Sequence, residues 1–79
     1  VILPEGATIL DFAYYIHTSI GNSAIGAYVN GDLVNLKFVL QEGDIVEVLR
    51  DHNVRRYKDE LRIVKTTKAR RMIERIIKK

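Results

Sequence analysis

Cysteine is absent from this 79-residue chain. That excludes a disulfide framework and any zinc site built on thiolates. Long apolar runs are absent too: none approaches the length that crosses a bilayer, and no secretory signal is visible. The expectation is a cytoplasmic protein without membrane contact. Material for other metal chemistry is sparse. The two histidines, His17 and His52, stand far apart, and Asp11 lies nearly two helical turns before His17. No metal and no cofactor are expected. Thr18 and Ser19 follow His17, but no third group is placed to orient a nucleophile and base. Glu42-Gly43-Asp44 has no Lys-Ser/Thr behind it and opens no helix, so it is a turn and not a phosphate loop. These absences make an enzyme in its own right the least expected class and a binding module the first.

What is present is enough for one small core. Its charge is uneven. Residues 1–49 hold six acids and one base, a net of −5, and residues 50–79 hold twelve bases and four acids, a net of +8. The basic character belongs to the second part. Such a tail suits nucleic acid, and equally an acidic neighbour within a longer chain.

The first part is organised around Thr8 to Gly21, read as one amphipathic helix. Thr8 is an N-cap with Asp11 three residues on, the spacing of a capping box. Gly21 is placed as the C′ residue, where glycine adopts the left-handed conformation cheaply. Ile9, Phe12, Ala13, Ile16 and Ile20 form the apolar stripe. Tyr14 points away from it, and Tyr15 and His17 lie at its edges.

Val1-Ile2-Leu3 reads as the end of a strand whose hairpin partner is missing. The open edge would favour pairing between two copies. Ala24–Val29 is a strand, Asn30-Gly31 a two-residue type I′ turn, and Asp32–Asn35 the returning strand. Leu36–Leu40 is a crossover with Phe38 and Leu40 as core plugs. Gln41–Asp44 is a turn. Ile45–Leu49 is the last strand, with Val46 and Val48 on one face and Ile45, Glu47 and Leu49 on the other. The two apolar residues beside Glu47 point to a partner or to cover from the rest of the chain.

Strand, helix, hairpin, crossover and strand make an α+β unit. With the first strand restored it is a β-grasp (ubiquitin-like) fold, a mixed sheet with one packed helix. The expected division is 1–50 for this unit and 51–79 for a basic connector and a C-terminal amphipathic helix. In the connector, Arg55-Arg56 and Asp59-Glu60 should face solvent while Leu61, Ile63 and Val64 dock. Thr66 or Thr67 caps the second helix, whose stripe is Ala69, Met72, Ile73, Ile76 and Ile77. This helix either packs on the unit or begins the next domain.

Two groups of residues are candidates for binding. His17 either bonds a local carbonyl, meets a protein, or, with Tyr14 or Tyr15, stacks on a nucleic-acid end. Arg55, Arg56, Arg70 and Arg71, with Arg75, Lys78 and Lys79, are candidate phosphate contacts, or the solvated face of the tail.

Leu3-Pro4-Glu5-Gly6-Ala7-Thr8 followed by Asp11-Phe12-Ala13-Tyr14-x-Ile16-His17-Thr18-x-Ile20-Gly21 resembles the TGS domain, named for threonyl-tRNA synthetase, certain GTPases and SpoT. Gly26-Ala27-x-Val29-Asn30-Gly31, Leu33-Val34 and Gly43-Asp44-x-Val46-Glu47-Val48 continue the pattern. Asp11–His17 and the tail Leu61-x-Ile63-Val64-Lys65-Thr66-Thr67-Lys68-Ala69-Arg70 are most similar to the RelA/SpoT branch. The resemblance implies a non-catalytic regulatory piece of a (p)ppGpp synthetase/hydrolase of the stringent response. It implies the uncharged tRNA 3′ end and the ribosome as partners, with His17 as the helix histidine that takes part. It also implies contact with the parent's catalytic domains and, in SpoT-like members, with acyl carrier protein. A second histidine, often found after the glycine in this family, is Asn22 here. The competing expectations are an accessory domain of threonyl-tRNA synthetase or a GTPase, and a ubiquitin-like interaction module. A sulfur carrier is excluded, because Leu49 is followed by Arg50-Asp51-His52 and not by Gly-Gly.

Overall fold

The computed structural model describes Leu3 and residues 5–77. The chain runs through α1 (Ile9–Ile16), α2 (Thr18–Ser23), β1 (Ala24–Val29), β2 (Asp32–Val34), β3 (Val46–Arg50), a 3-10 helix (Lys58–Arg62) and α3 (Thr67–Ile77). The architecture is α+β, with helices on one face of a three-stranded sheet ordered β2-β1-β3. Both described pairings are antiparallel. The strand expected at Val1–Leu3 lies outside the described residues except for Leu3.

The hairpin follows from two residues. Asn30 (φ 52°) and Gly31 (φ 89°) both take the positive φ of a type I′ turn, whose twist matches the strands. Asn30 also ties this turn to the next. Its side-chain oxygen accepts from the Ile45 amide at 2.9 Å, and its amide nitrogen donates to Asp44 at 2.9 Å. A bulge between Ala24 and Gly26 in the β1–β3 ladder turns Ile25 outward.

The capping box forms as expected: Thr8 N–H donates to Asp11 at 3.0 Å, and the Thr8 hydroxyl accepts from Asp11 N–H at 3.4 Å. The crossover satisfies further first-turn donors. The Phe38 carbonyl accepts from Ile9 N–H at 3.0 Å and the Leu36 carbonyl from Leu10 N–H at 3.4 Å. Phe38 is thus held by its backbone, and its ring is exposed, not the core plug expected; Leu40 does pack beneath α1.

The expected single helix is two. His17 leaves the helical region (φ −168°, ψ 147°) and ends α1, and α2 starts at Thr18. Two corrections follow from one contact. Tyr14 does not point away: α2 folds back over its ring, which is fully buried, and its hydroxyl donates to Asn22 at 2.8 Å. Gly21 is not a left-handed C′ residue but lies inside α2, where a Cβ would sit 2.1 Å from Tyr14 Cδ1. Glycine is there to make room. Ile16, expected in the stripe, is exposed beside the break.

The second part of the chain completes the core. Val64, Ala69 and Ile73 are buried in the same cluster as Leu10, Ala13, Tyr14 and Ala24, with Leu61, Ile63 and Met72 packed against it. α3 therefore lies on the unit. Thr66 is its cap, accepting from Ala69 N–H at 3.2 Å. Arg56 and Glu60 are corrected from solvent-facing to buried. They pair at 3.3 Å, Glu60 accepts from Tyr57 N–H at 2.8 Å, and Arg56 donates to the Ala24 carbonyl beside the bulge. The 3-10 turn brings residues 56 and 60 to one side, which charge alone did not reveal.

Candidate nucleic-acid interface

The break at His17 is built by a residue that the sequence also makes a binding candidate. Its backbone N–H closes α1 on the Ala13 carbonyl at 3.2 Å. Its carbonyl accepts from Ile20 and Gly21, each at 3.1 Å. Its ring caps α2: Nδ1 accepts from Ser19 N–H at 3.0 Å and lies 2.9 Å from Ser19 Oγ. Accepting at Nδ1 assigns the neutral ring's proton to Nε2. The imidazole is thus held at its inner nitrogen and exposed at its outer edge, with Tyr15 and Ile16 exposed beside it.

α3 runs beside α1 in the same direction. Asp11, in the first turn of α1, meets the residues that open α3, and Thr18 reaches Met72 in its middle, with Oγ1 3.6 Å from the sulfur. Asp11 is the joint. Its fully buried carboxylate accepts from Thr8 N–H and hydroxyl, from Lys65 N–H at 2.8 Å and from Thr66 N–H and hydroxyl at 2.9 Å. Two helix N-termini, both positive ends of dipoles, converge on one charge. This second role is invisible in the sequence, because the partners lie 54 and 55 positions away.

Helical spacing divides the bases of α3. Lys68, Met72 and Arg75 follow at i, i+4 and i+7, with Arg71 beside them, so this stripe flanks the contact with Thr18. Arg70 lies on the opposite flank with Glu74. Of the candidate residues, His17 and Tyr15 are exposed at the break, Arg71 and Arg75 are exposed on the side of α3 that flanks Met72, and Lys78 and Lys79 lie outside the described residues. Arg55 is exposed on the connector and Arg70 on the far flank. Tyr14 and Arg56 are interior, and they face one another electrically. Burial pushes the Tyr14 hydroxyl up to about 12, against the pull of the Arg56 guanidinium and with the help of the Glu60 carboxylate. Lys68 was not among the expected candidates, though its spacing from Met72 is a signal that could have found it.

Among the described residues no three His, Asp or Glu side chains gather as a metal-binding group, and no helix is long and apolar enough to cross a membrane.

The chain is similar to a GTP pyrophosphokinase of Myxococcus xanthus, 47% identical over 76 residues, which span 96% of this chain and 10% of that protein. It is 43% identical over 79 residues to a guanosine-3′,5′-bis(diphosphate) 3′-pyrophosphohydrolase of Aquifex aeolicus, spanning 100% of this chain and 11% of that protein. With a GTP pyrophosphokinase of Streptomyces antibioticus it shares 45% identity over 75 residues, 92% of this chain and 9% of that protein. The chain thus spans about a tenth of the length of these relatives. The family model that matches is the TGS domain, over residues 1–50. With this match and an α+β unit of helices packed on one face of a sheet, the chain belongs to the TGS domain family, in the form that RelA/SpoT-type enzymes carry.

Proposed function

We propose that this TGS domain is a non-catalytic regulatory module of a (p)ppGpp synthetase/hydrolase, and that it reads the uncharged 3′ end of a tRNA at His17. The names of the relatives support the parent's chemistry. The observation that carries the reading is the state of His17: its inner nitrogen is committed to its own cap, so its outer edge is presented in a fixed orientation at a helix break. A single-stranded RNA end is read by stacking and by hydrogen bonds to its free hydroxyls. The outer edge of His17 and the Tyr15 ring supply both, and Lys68, Arg71 and Arg75 supply phosphate contacts next to them. An aminoacyl group on the terminal ribose would remove a hydroxyl and crowd the ring, which makes the module sensitive to charging.

The test is titration of uncharged and aminoacylated tRNA against the chain and two variants. His17→Asn keeps a side chain that caps α2 but removes the imidazole; His17→Ala removes both. Tighter binding of uncharged tRNA, lost equally in both variants, is expected. Equal affinity for the two tRNAs, or full retention in His17→Asn, overturns the reading.

A further inference from the structure

The sheet has a second face, opposite the helices, that no element of the described chain covers. Leu33 is 66% exposed, Ile45 76% and Tyr28 40%. They are neighbours: Tyr28 pairs directly with Leu33 across β1–β2 and with Glu47 across β1–β3, and Ile45 precedes Glu47 by two residues on the same face. Large apolar side chains exposed in one contiguous group mark an interaction surface far more often than single exposed ones do.

The charges around this patch are of one sign. Glu47 lies within it, directly opposite Tyr28, and Glu42 and Asp44 precede Ile45 in the turn that leads into β3. The one base on the three strands is Arg50, at the far end of β3, where its Nε donates to Ser23 at 2.8 Å. An acidic rim raises the cost of bringing phosphates to the face, so a nucleic acid does not fit it. It also repels a second copy of the same face. The chemistry it accepts is apolar and cationic together.

We infer that the outer face of the sheet, centred on Tyr28, Leu33 and Ile45, docks a basic amphipathic helix of a protein partner. The apolar stripe of that helix covers the three side chains, and its lysines or arginines meet Glu42 and Glu47. The site is separate from His17 and independent of any RNA bound there. It gives the module two addresses, of opposite charge preference, on opposite sides of one sheet.

The probe is a synthetic helical peptide of leucine and lysine, about 18 residues or five turns long, with a leucine–glutamate peptide of the same pattern as its counterpart. Each is titrated into the isotope-labelled chain and followed by amide NMR. Shifts centred on Tyr28, Leu33, Ile45 and Glu47 are expected with the lysine peptide and not with the glutamate peptide. Leu33→Ser with Ile45→Ser should weaken binding at least about tenfold. Glu42→Lys with Glu47→Lys, which leaves the apolar patch in place, should reverse the preference to the glutamate peptide. Overturning outcomes are equal response to both peptides, shifts confined to the helices, no binding, or no reversal in the charge-swapped variant. So are shifts of these same amides by a short single-stranded RNA, and concentration-dependent dimerisation abolished by Leu33→Ser with Ile45→Ser.

Discussion

The helical flank and the outer face of the sheet use the same chain in opposite ways. On the helical flank, three polar side chains are partnered within the chain. Asp11 serves five donors, Tyr14 donates to Asn22, and His17 spends one nitrogen on its own cap. On the outer face, apolar side chains stand in water and the charges beside them are all acidic. The difference teaches where this molecule keeps its stability and where it keeps its options. Substitutions on the first side should be costly to the fold, and substitutions on the second should be nearly free.

That contrast can be broken experimentally, beginning with Asp11. Asp11→Ala leaves the donors of two helix starts without their shared acceptor. It should cost about 3–5 kcal/mol in urea unfolding, since lost caps and unsatisfied buried donors add. A loss no larger than that of an ordinary single cap would show that α3 does not depend on this joint. Gly21→Ala comes next. The added methyl meets the Tyr14 ring and must displace either the ring or α2, for about 1–3 kcal/mol. Fluorescence and thermal unfolding of this variant report whether Tyr14 has been expelled.

Tyr14 also sets a pH dependence. Its folded-state pKa is raised from 10.0 to about 12, so the neutral phenol is the form the fold favours. Its contribution is fully present below pH 10 and is lost as the pH rises from there through about 12. Melting temperature should fall over that window, and Tyr14→Phe should flatten the fall. Ultraviolet titration should show a tyrosine ionisation near pH 12 that Tyr14→Phe removes. The smallest effect belongs to the outer face: Leu33→Ser or Ile45→Ser should change stability by less than about 0.5 kcal/mol. A larger loss would mean that the face contributes to this fold and is not reserved for a partner.

Local signals in the sequence were reliable where one residue type solves one local problem. Thr8 and Asp11 gave the start of α1, Asn30-Gly31 the hairpin, and Thr66 the start of α3. The alternation of Val46, Glu47 and Val48 placed the two faces of β3, and the exposure of Ile45 was expected from the same pattern. What escaped was set by contacts distant in sequence. An unbroken helical period hid the break at His17, because the break exists to seat α2 on Tyr14. Gly21 offered two meanings, room or a left-handed turn, and only the ring beside it decides. Arg56 and Glu60 look like solvated charges until the 3-10 turn buries them together. Of the residues proposed for binding, His17, Tyr15, Arg71 and Arg75 could be named in advance. Separating Arg71 from Arg70 required knowing which flank α3 turns toward α2, and separating Tyr15 from Tyr14 required knowing that α2 folds back over the Tyr14 ring.

The joint at Asp11 has a consequence for where this domain may be cut. The family match ends at residue 50, yet the carboxylate inside that segment is satisfied by Lys65 and Thr66, and Val64, Ala69 and Ile73 close the core over Tyr14. The segment that the family model matches is therefore shorter than the unit that folds. A chain ended at residue 50 would expose its own interior and strand a buried acid, so the tail is a lid on the family domain and not a leash behind it.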